Sequence, residues 1–165
     1  MTTGAQLTDW CLKNRVVGFD GVYCSDNLPA VRPGDNFCLI VNHSPCNSAS
    51  GGSHWLACRI KGSAKSGFTA FWFDSYGKEP DSPLETRFMG SPKDAPPQFV
   101  DWMKSMGASE IIWNQRDLQQ LTSDVCGEYA AYFCKHGLPR DSKAWSFVSS
   151  NLAKNDATIK ELVRV

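Results

Sequence analysis

Cys126 stands where the polar stretch LQQLTSDV gives way to CGEYAAYF, which has the pattern of a helix. A sulfur at a helix N-terminus meets the positive end of the helix dipole and several unpaired backbone N–H groups, and both favour an anion there. The same N–H groups can hold the oxyanion that forms when a thiolate attacks a carbonyl. Gly127, the next residue, leaves room for a substrate backbone to approach. Cys134, further along the same helix, illustrates the plainer fate of a cysteine, a small core residue.

A nucleophilic thiol needs a base, and the chain has three histidines. His136 falls at the far end of the same helix, too distant to serve and well placed as a cation against the dipole. His43 lies in a polar loop and reads as a surface residue. His54 follows the flexible ASGGS and opens HWLACRI, an apolar run with strand composition, so its ring is expected at the mouth of a cleft. Asp74 closes a second such run, FTAFWFD. Residue 64 lies midway between the two and inside KGSAKSG, the expected hairpin turn, so antiparallel register sets imidazole beside carboxylate. His, Asp and Cys in that order, on strand, strand and helix, fit acyl transfer through a thioester, with the imidazole as base and then as acid.

The elements that must position these groups follow from the same patterns. Residues 3–13 are amphipathic and predict a short helix, while 16–36, rich in Gly, Pro, Asp and Asn, read as loop and turn. Strands are expected at 37–42, 54–60, 68–74 and 110–114. The Pro-rich stretch 78–97 reads as a long connection bordering the cleft. A helix is predicted over 97–107, ended by Gly107, and another from 123 to 137, with Ser123 or Asp124 as N-cap and Gly137 as the stop. A capped helix over 141–155 and a final one in the tail complete an α+β order in a single domain, 1–165. Asn42 and Asp26 fit strand-end and turn roles.

Composition limits the rest. The 165 residues are 42% hydrophobic with a formal net charge of zero, which describes a globular chain without a basic stripe for nucleic acid. No apolar run is long enough for a membrane helix, and the N-terminal sequence lacks a secretion-signal pattern. The seven cysteines, odd in number and irregularly spaced, are expected to be reduced intracellular thiols. Cys24, Cys38, His43 and Cys46 raise the question of zinc, but without a C-x-x-C pair the spacing argues against it. No cofactor is required, and a monomer is expected.

GGSHWLAC, FWFDSYG and LQQLTSDVCGEYAAYF together resemble the adenovirus-type cysteine proteases and their polinton and adintovirus relatives, within a clan that includes the ubiquitin-like-protein-specific proteases. The resemblance covers about residues 18–137. It implies a papain-like fold whose central mixed, mainly antiparallel sheet is flanked by helices. It further implies His54 as base, Asp74 as its acid, Cys126 as nucleophile and a glutamine in the oxyanion hole: Gln119, or Gln120 at the spacing of the ubiquitin-like branch. Trp55 matches a tryptophan that narrows the channel over the substrate, which favours glycine-containing sites. The implied substrates are viral precursor proteins or, in the alternative, ubiquitin-like conjugates cut after Gly-Gly; a non-catalytic module that holds Gly-rich tails is the outlying option. For a viral enzyme the setting would be the host nucleus or cytoplasm and the virion. Asp74 replaces the Glu of the adenovirus enzymes, and no cysteine stands in 104–121 to receive a disulfide-linked activating peptide, so that mode of activation is not expected; the zero net charge gives no support to activation by DNA, which stays open.

Overall fold

Residues 1–49, 51–89, 91 and 93–165 are described by the computed structural model. Strands β1 (Phe19–Tyr23), β2 (Asn36–Asn42), β3 (Trp55–Ser63), β4 (Gly67–Phe73) and β5 (Ala108–Trp113) form one sheet in chain order. The three central strands, β2 to β4, are antiparallel to one another, whereas β1 runs parallel to β2 and β5 parallel to β4. Helices α1 (Gly4–Lys13), α4 (Cys126–His136) and α5 (Leu152–Leu162) cover one face, and α3 (Phe99–Ser105) covers the other.

This two-sided cover explains why β2 is an unbroken apolar run instead of an alternating one. Cys38 and Ile40 point into the core beneath α1 and α4, while Phe37, Leu39 and Val41 point beneath α3. The first core is dense in aromatic rings: Phe73 stacks on Phe133 at 5.1 Å between centroids and leans on Trp145 at 5.5 Å. Helix α4 is its axis, with nine consecutive residues, Cys126 to Cys134, buried. An α-helix buried all round must be pinned at both ends, and Gly137 with φ +80° supplies the stop at its C-terminus, its N–H donating to Phe133 O at 2.7 Å.

Several expectations are corrected. The 16–36 stretch contains β1, whose pairing to β2 was invisible in a segment dominated by turn formers. The connection after β4 holds a short helix, α2 (Pro83–Met89), started by a proline. Neither Ser123 nor Asp124 caps α4; Val125 occupies that place without a side-chain hydrogen bond, and Asp124 instead meets the N-terminal amine of Met1 at 3.7 Å. Residues 139–145 form two 3₁₀ turns, Pro139–Asp141 and Lys143–Trp145, in place of a helix over 141–155.

The cysteines are not all reduced: Cys24 and Cys46 form a disulfide. Parallel strands leave the sheet at the same edge, so the exits of β1 and β2 lie together although 22 residues separate the two sulfurs. Asp26 Oδ1 reinforces the junction by accepting the Cys46 N–H at 2.9 Å. The bridge removes both sulfurs from the zinc set considered above, and His43 turns away from them into the core, where it meets Phe99 edge-on. Among the described residues no helix is long and apolar enough to cross a membrane.

Replacing Phe133 by Ala empties the stacked aromatic centre between sheet and α4, and a loss of about 3–5 kcal/mol is expected for burying such a cavity. Urea unfolding followed by tryptophan fluorescence measures it; a loss below about 1 kcal/mol contradicts the packing described.

Candidate active site

His54 immediately precedes β3 and Asp74 immediately follows β4. Ala57 pairs with Phe73 and Ser63 with Gly67, so the hairpin is centred on residue 65, one position later than the simple midpoint. The shift moves the formal partner of His54 from Asp74 to Tyr76. The structure uses both. Tyr76 stacks its ring on the imidazole at 4.9 Å and 26°, and His54 Nε2 lies 2.9 Å from Asp74 Oδ1. The Tyr76 N–H donates to that same Oδ1 at 2.9 Å, which fixes the carboxylate plane. Asp74 is fully buried and His54 is 1% exposed, so neither group can turn to water instead.

Cys126 lies beside the same imidazole, near enough to bear on its charge. Cys126 is the first residue of α4, and its Sγ accepts the Trp55 backbone N–H at 3.4 Å. With no side chain capping α4, the first-turn N–H groups beside the sulfur are not claimed by the protein's own cap. Strand, strand and helix thus converge on three side chains. Burial opposes a charge on His54, but the charge of Asp74, the hydrogen bond to it and the contact with Cys126 outweigh it, holding the imidazole well above its ordinary value. Burial likewise works against the Asp74 carboxylate, and His54 with the Tyr76 N–H keeps it low.

The two glutamines separate clearly. Gln119 is buried, 1% exposed: its Oε1 accepts from Ser75 Oγ at 2.5 Å and its Nε2 donates to Ser123 O at 3.0 Å. An amide nitrogen has two hydrogens, so one remains. Gln120 is exposed and is held only through its backbone, whose N–H donates to Asp156 Oδ2 at 3.2 Å. The backbone on either side of Gln119 is braced from α4 and α5. Tyr129 Oη donates to Leu118 O at 3.0 Å or to Asp156 Oδ1 at 2.8 Å, and Asn155 Nδ2 donates to Leu118 O at 3.2 Å. Nothing in the sequence tied the tail to residue 119; buried Asn and Asp in a helix that otherwise reads as amphipathic were the one available sign.

Trp55 lies across the cluster, its Nε1 donating to Thr2 O at 2.8 Å. Gly127 is buried, and a Cβ there would meet Trp55 Cδ1 at 3.0 Å and Leu7 Cδ1 at 3.3 Å. Its missing side chain makes room for the indole. His43, expected at the surface, is also buried; its N–H donates to His54 O at 2.8 Å, and burial pulls its ring down to about 4, so it stays neutral beside the cluster. Asn42 Oδ1 accepts from the Ser44 and Ser53 N–H groups at 3.0 and 3.1 Å, closing the loop that leads into His54. His136 sits against Tyr132, 4.4 Å between rings, at the distant end of α4.

Two grooves are lined by residues that neighbour this cluster, though not by His54, Asp74 or Cys126 themselves. One, of about 420 Å³, is lined by Trp55, Gly4, Val22, Asn42 and the Cys24–Cys46 bridge. The other, of about 650 Å³, is lined by Tyr76, Glu85, Gln119, Leu84, Phe88 and Leu121. Cys126 as a whole is 5% exposed. Helix α2 lines the second groove through Leu84, Glu85 and Phe88. Glu85, on that helix, is a buried second acid that sequence reasoning missed; it lies 3.9 Å from His54 Nε2 through its Oε2.

Two crystal structures of the ASFV pS273R protease superpose on the whole chain. They cover 99% and 100% of it and 67% and 68% of their own chains, with TM-scores of 0.48 and 0.50 at 16% identity. The chain shares its fold with that protease. The Legionella pneumophila effector protein RavZ is a looser match, with a TM-score of 0.42 and 16% identity, covering 78% of this chain and 38% of its own. No protein-family model and no curated protein matches the sequence. At 16% identity the likeness speaks for the fold alone and does not single out the adenovirus-type branch.

Asp74→Asn removes the charge that offsets burial, so the His54 titration should fall from above its ordinary 6.5 to below it. Imidazole chemical shifts followed against pH measure this, and an unmoved titration contradicts the pairing.

Proposed function

We propose that the protein is a cysteine endopeptidase whose nucleophile, base and acid are Cys126, His54 and Asp74. The observation that carries the reading is the buried imidazole, bonded to Asp74 through Nε2 and neighboured by the helix-borne Cys126. In this reading the Cys126 proton passes to His54, and the sulfur attacks the scissile carbonyl carbon. The oxyanion is received by the free hydrogen of Gln119 Nε2 and the Cys126 backbone N–H. The imidazolium then gives its proton to the departing amine, leaving a thioester. Water enters, His54 takes one of its protons, and the resulting hydroxide displaces the sulfur to release the acid and restore the thiol.

Asp74 holds Nε2–H toward itself and so leaves the opposite nitrogen free to accept the Cys126 proton. Ser75 and Ser123 aim the Gln119 amide before substrate arrives, which is the preorganisation an oxyanion site needs. The near-complete cover of Cys126, with Trp55 beside it, supports a substrate that is backbone with little side chain at the scissile bond, hence glycine-containing sites. Structural precursors of a virus or mobile element are the proposed substrates, a choice favoured by the fold shared with a viral protease. Ubiquitin-like conjugates ending in Gly-Gly offer the same backbone chemistry.

The test is cleavage of a Gly-rich peptide library and of a ubiquitin-like panel, each with and without DNA. Cys126→Ala should abolish cleavage; full activity in that variant ends the proposal. Gln119→Ala should lower kcat by roughly 10²–10³-fold, the usual loss for one oxyanion donor. Gln120→Ala should stay close to the parent, and the reverse ranking would reassign the oxyanion hole.

A further inference from the structure

Glu85 sits in the first turn of α2 with 7% of its surface exposed, against the far side of the His54–Asp74 pair. The ligand-capable atoms of His54, Asp74 and Glu85 all lie within 4.8 Å of one another. Asp74 gives one oxygen, Oδ1, to His54 and to the Tyr76 N–H. Its other oxygen, Oδ2, is buried and meets no N–H or O–H donor, and the same holds for Glu85 Oε2. Buried polar atoms are almost always satisfied, so two orphaned carboxyl oxygens in one pocket require an account. Two carboxylates against one imidazolium would also leave a net negative charge away from water.

A single proton resolves both difficulties. We propose that Glu85 is a positioning residue that stays protonated in the working protein and donates its O–H to Asp74 Oδ2. Asp74 is then clamped from two sides, by imidazole and Tyr76 on Oδ1 and by a carboxylic acid on Oδ2, with a balanced charge of one anion to one cation. The arrangement lets Asp74 keep its charge, and so its hold on His54, without any contact with solvent.

The electrostatics agree with the geometry. Burial, then the hydrogen bond with Asp74 and the charge of Asp74, push Glu85 up to about 9, against the smaller pull of His54 and Lys78. The facing groups are His54 before β3, Asp74 after β4 and Lys78 in the following turn; His43, after β2, is held neutral. In the folded protein Glu85 keeps its proton up to about 9, whereas in the unfolded chain it loses it near 4.5. Between those values the folded state binds the extra proton, so this group's contribution to stability falls as pH rises.

The inference deepens the protease reading and rests on it for its functional meaning, but its central test needs no proteolysis. In protein labelled with carboxyl-13C glutamate, one buried resonance should titrate near 9, and Asp74→Asn should move it. A Glu85 resonance that titrates near 4.5 overturns the proposal. E85Q supplies a neutral donor that cannot ionise, so its Tm should gain on the parent steadily from pH 5 to pH 9; a constant difference overturns the shared proton. Zinc retained stoichiometrically by the purified protein and lost in E85Q would replace the proton by a metal and overturn it too. If cleavage is detected, E85A should lose roughly 10- to 100-fold in kcat/KM, as for a misaligned catalytic group, and Gln should restore most of it. Equal activity of the parent, E85A and E85Q overturns the positioning role while leaving the protease intact.

Discussion

A carboxylate and an imidazole buried against each other, 2.9 Å apart and sealed from water, set the terms for everything around them. Each alone would be costly at zero exposure; together they are tolerable only if every remaining lone pair and proton is met. The surroundings can be read as the response to that demand. Tyr76 gives an N–H and a ring, the hairpin gives a rigid base, and α4 brings a polarisable sulfur beside the imidazole. The fold is a device for holding this pair dry, and the sheet edge where β3 begins and β4 ends is the place where that is feasible.

The glutamine is managed by a different layer of the structure. Its side chain is aimed by Ser75 and Ser123, while its flanking carbonyl and amide are held by Tyr129, Asn155 and Asp156. Strand end, central helix and last helix all bear on one amide group. The backbone at Asp74 joins the same lattice through the Asn114 side chain, whose Nδ2 donates to Asp74 O at 3.2 Å and to Arg116 O at 2.8 Å. The strand end that carries Asp74 and the loop that carries Gln119 are thus fastened to each other.

Much of this was legible in the residues. The strands at 37–42, 54–60, 68–74 and 110–114 carry β-branched and aromatic runs between turn formers, and the ends of α1, α3 and α4 are marked by Gly, Pro or cap residues. Register arithmetic brought His54 and Asp74 together to within one position of the observed centre. What remained hidden depends on contacts distant in sequence. β1 owes its existence to β2, and with it went the disulfide. The N-terminus of α3 is capped not by Gln98 but by Asp81, which accepts from the Phe99 and Val100 N–H groups at 2.8 and 2.9 Å. Glu85 gave no sign in the sequence because α2 is short and its burial is decided by the rest of the fold. The packing of Gly127 was hidden because its neighbour in space, Trp55, comes from a strand far away in sequence.

The anchoring of residues 118 and 120 by Asn155 and Asp156 gives the C-terminal helix a significance beyond packing. Of the eleven residues of α5 only Asn155, Asp156 and Ile159 are buried, and elements so lightly anchored open at a small fraction of the free energy of global unfolding. Were α5 to open, the amide proposed to receive the oxyanion would lose its support, although sheet and sulfur stay in place. The local stability of this helix would then govern how many folded molecules are poised to react at any instant, and lesions there would pass for catalytic defects.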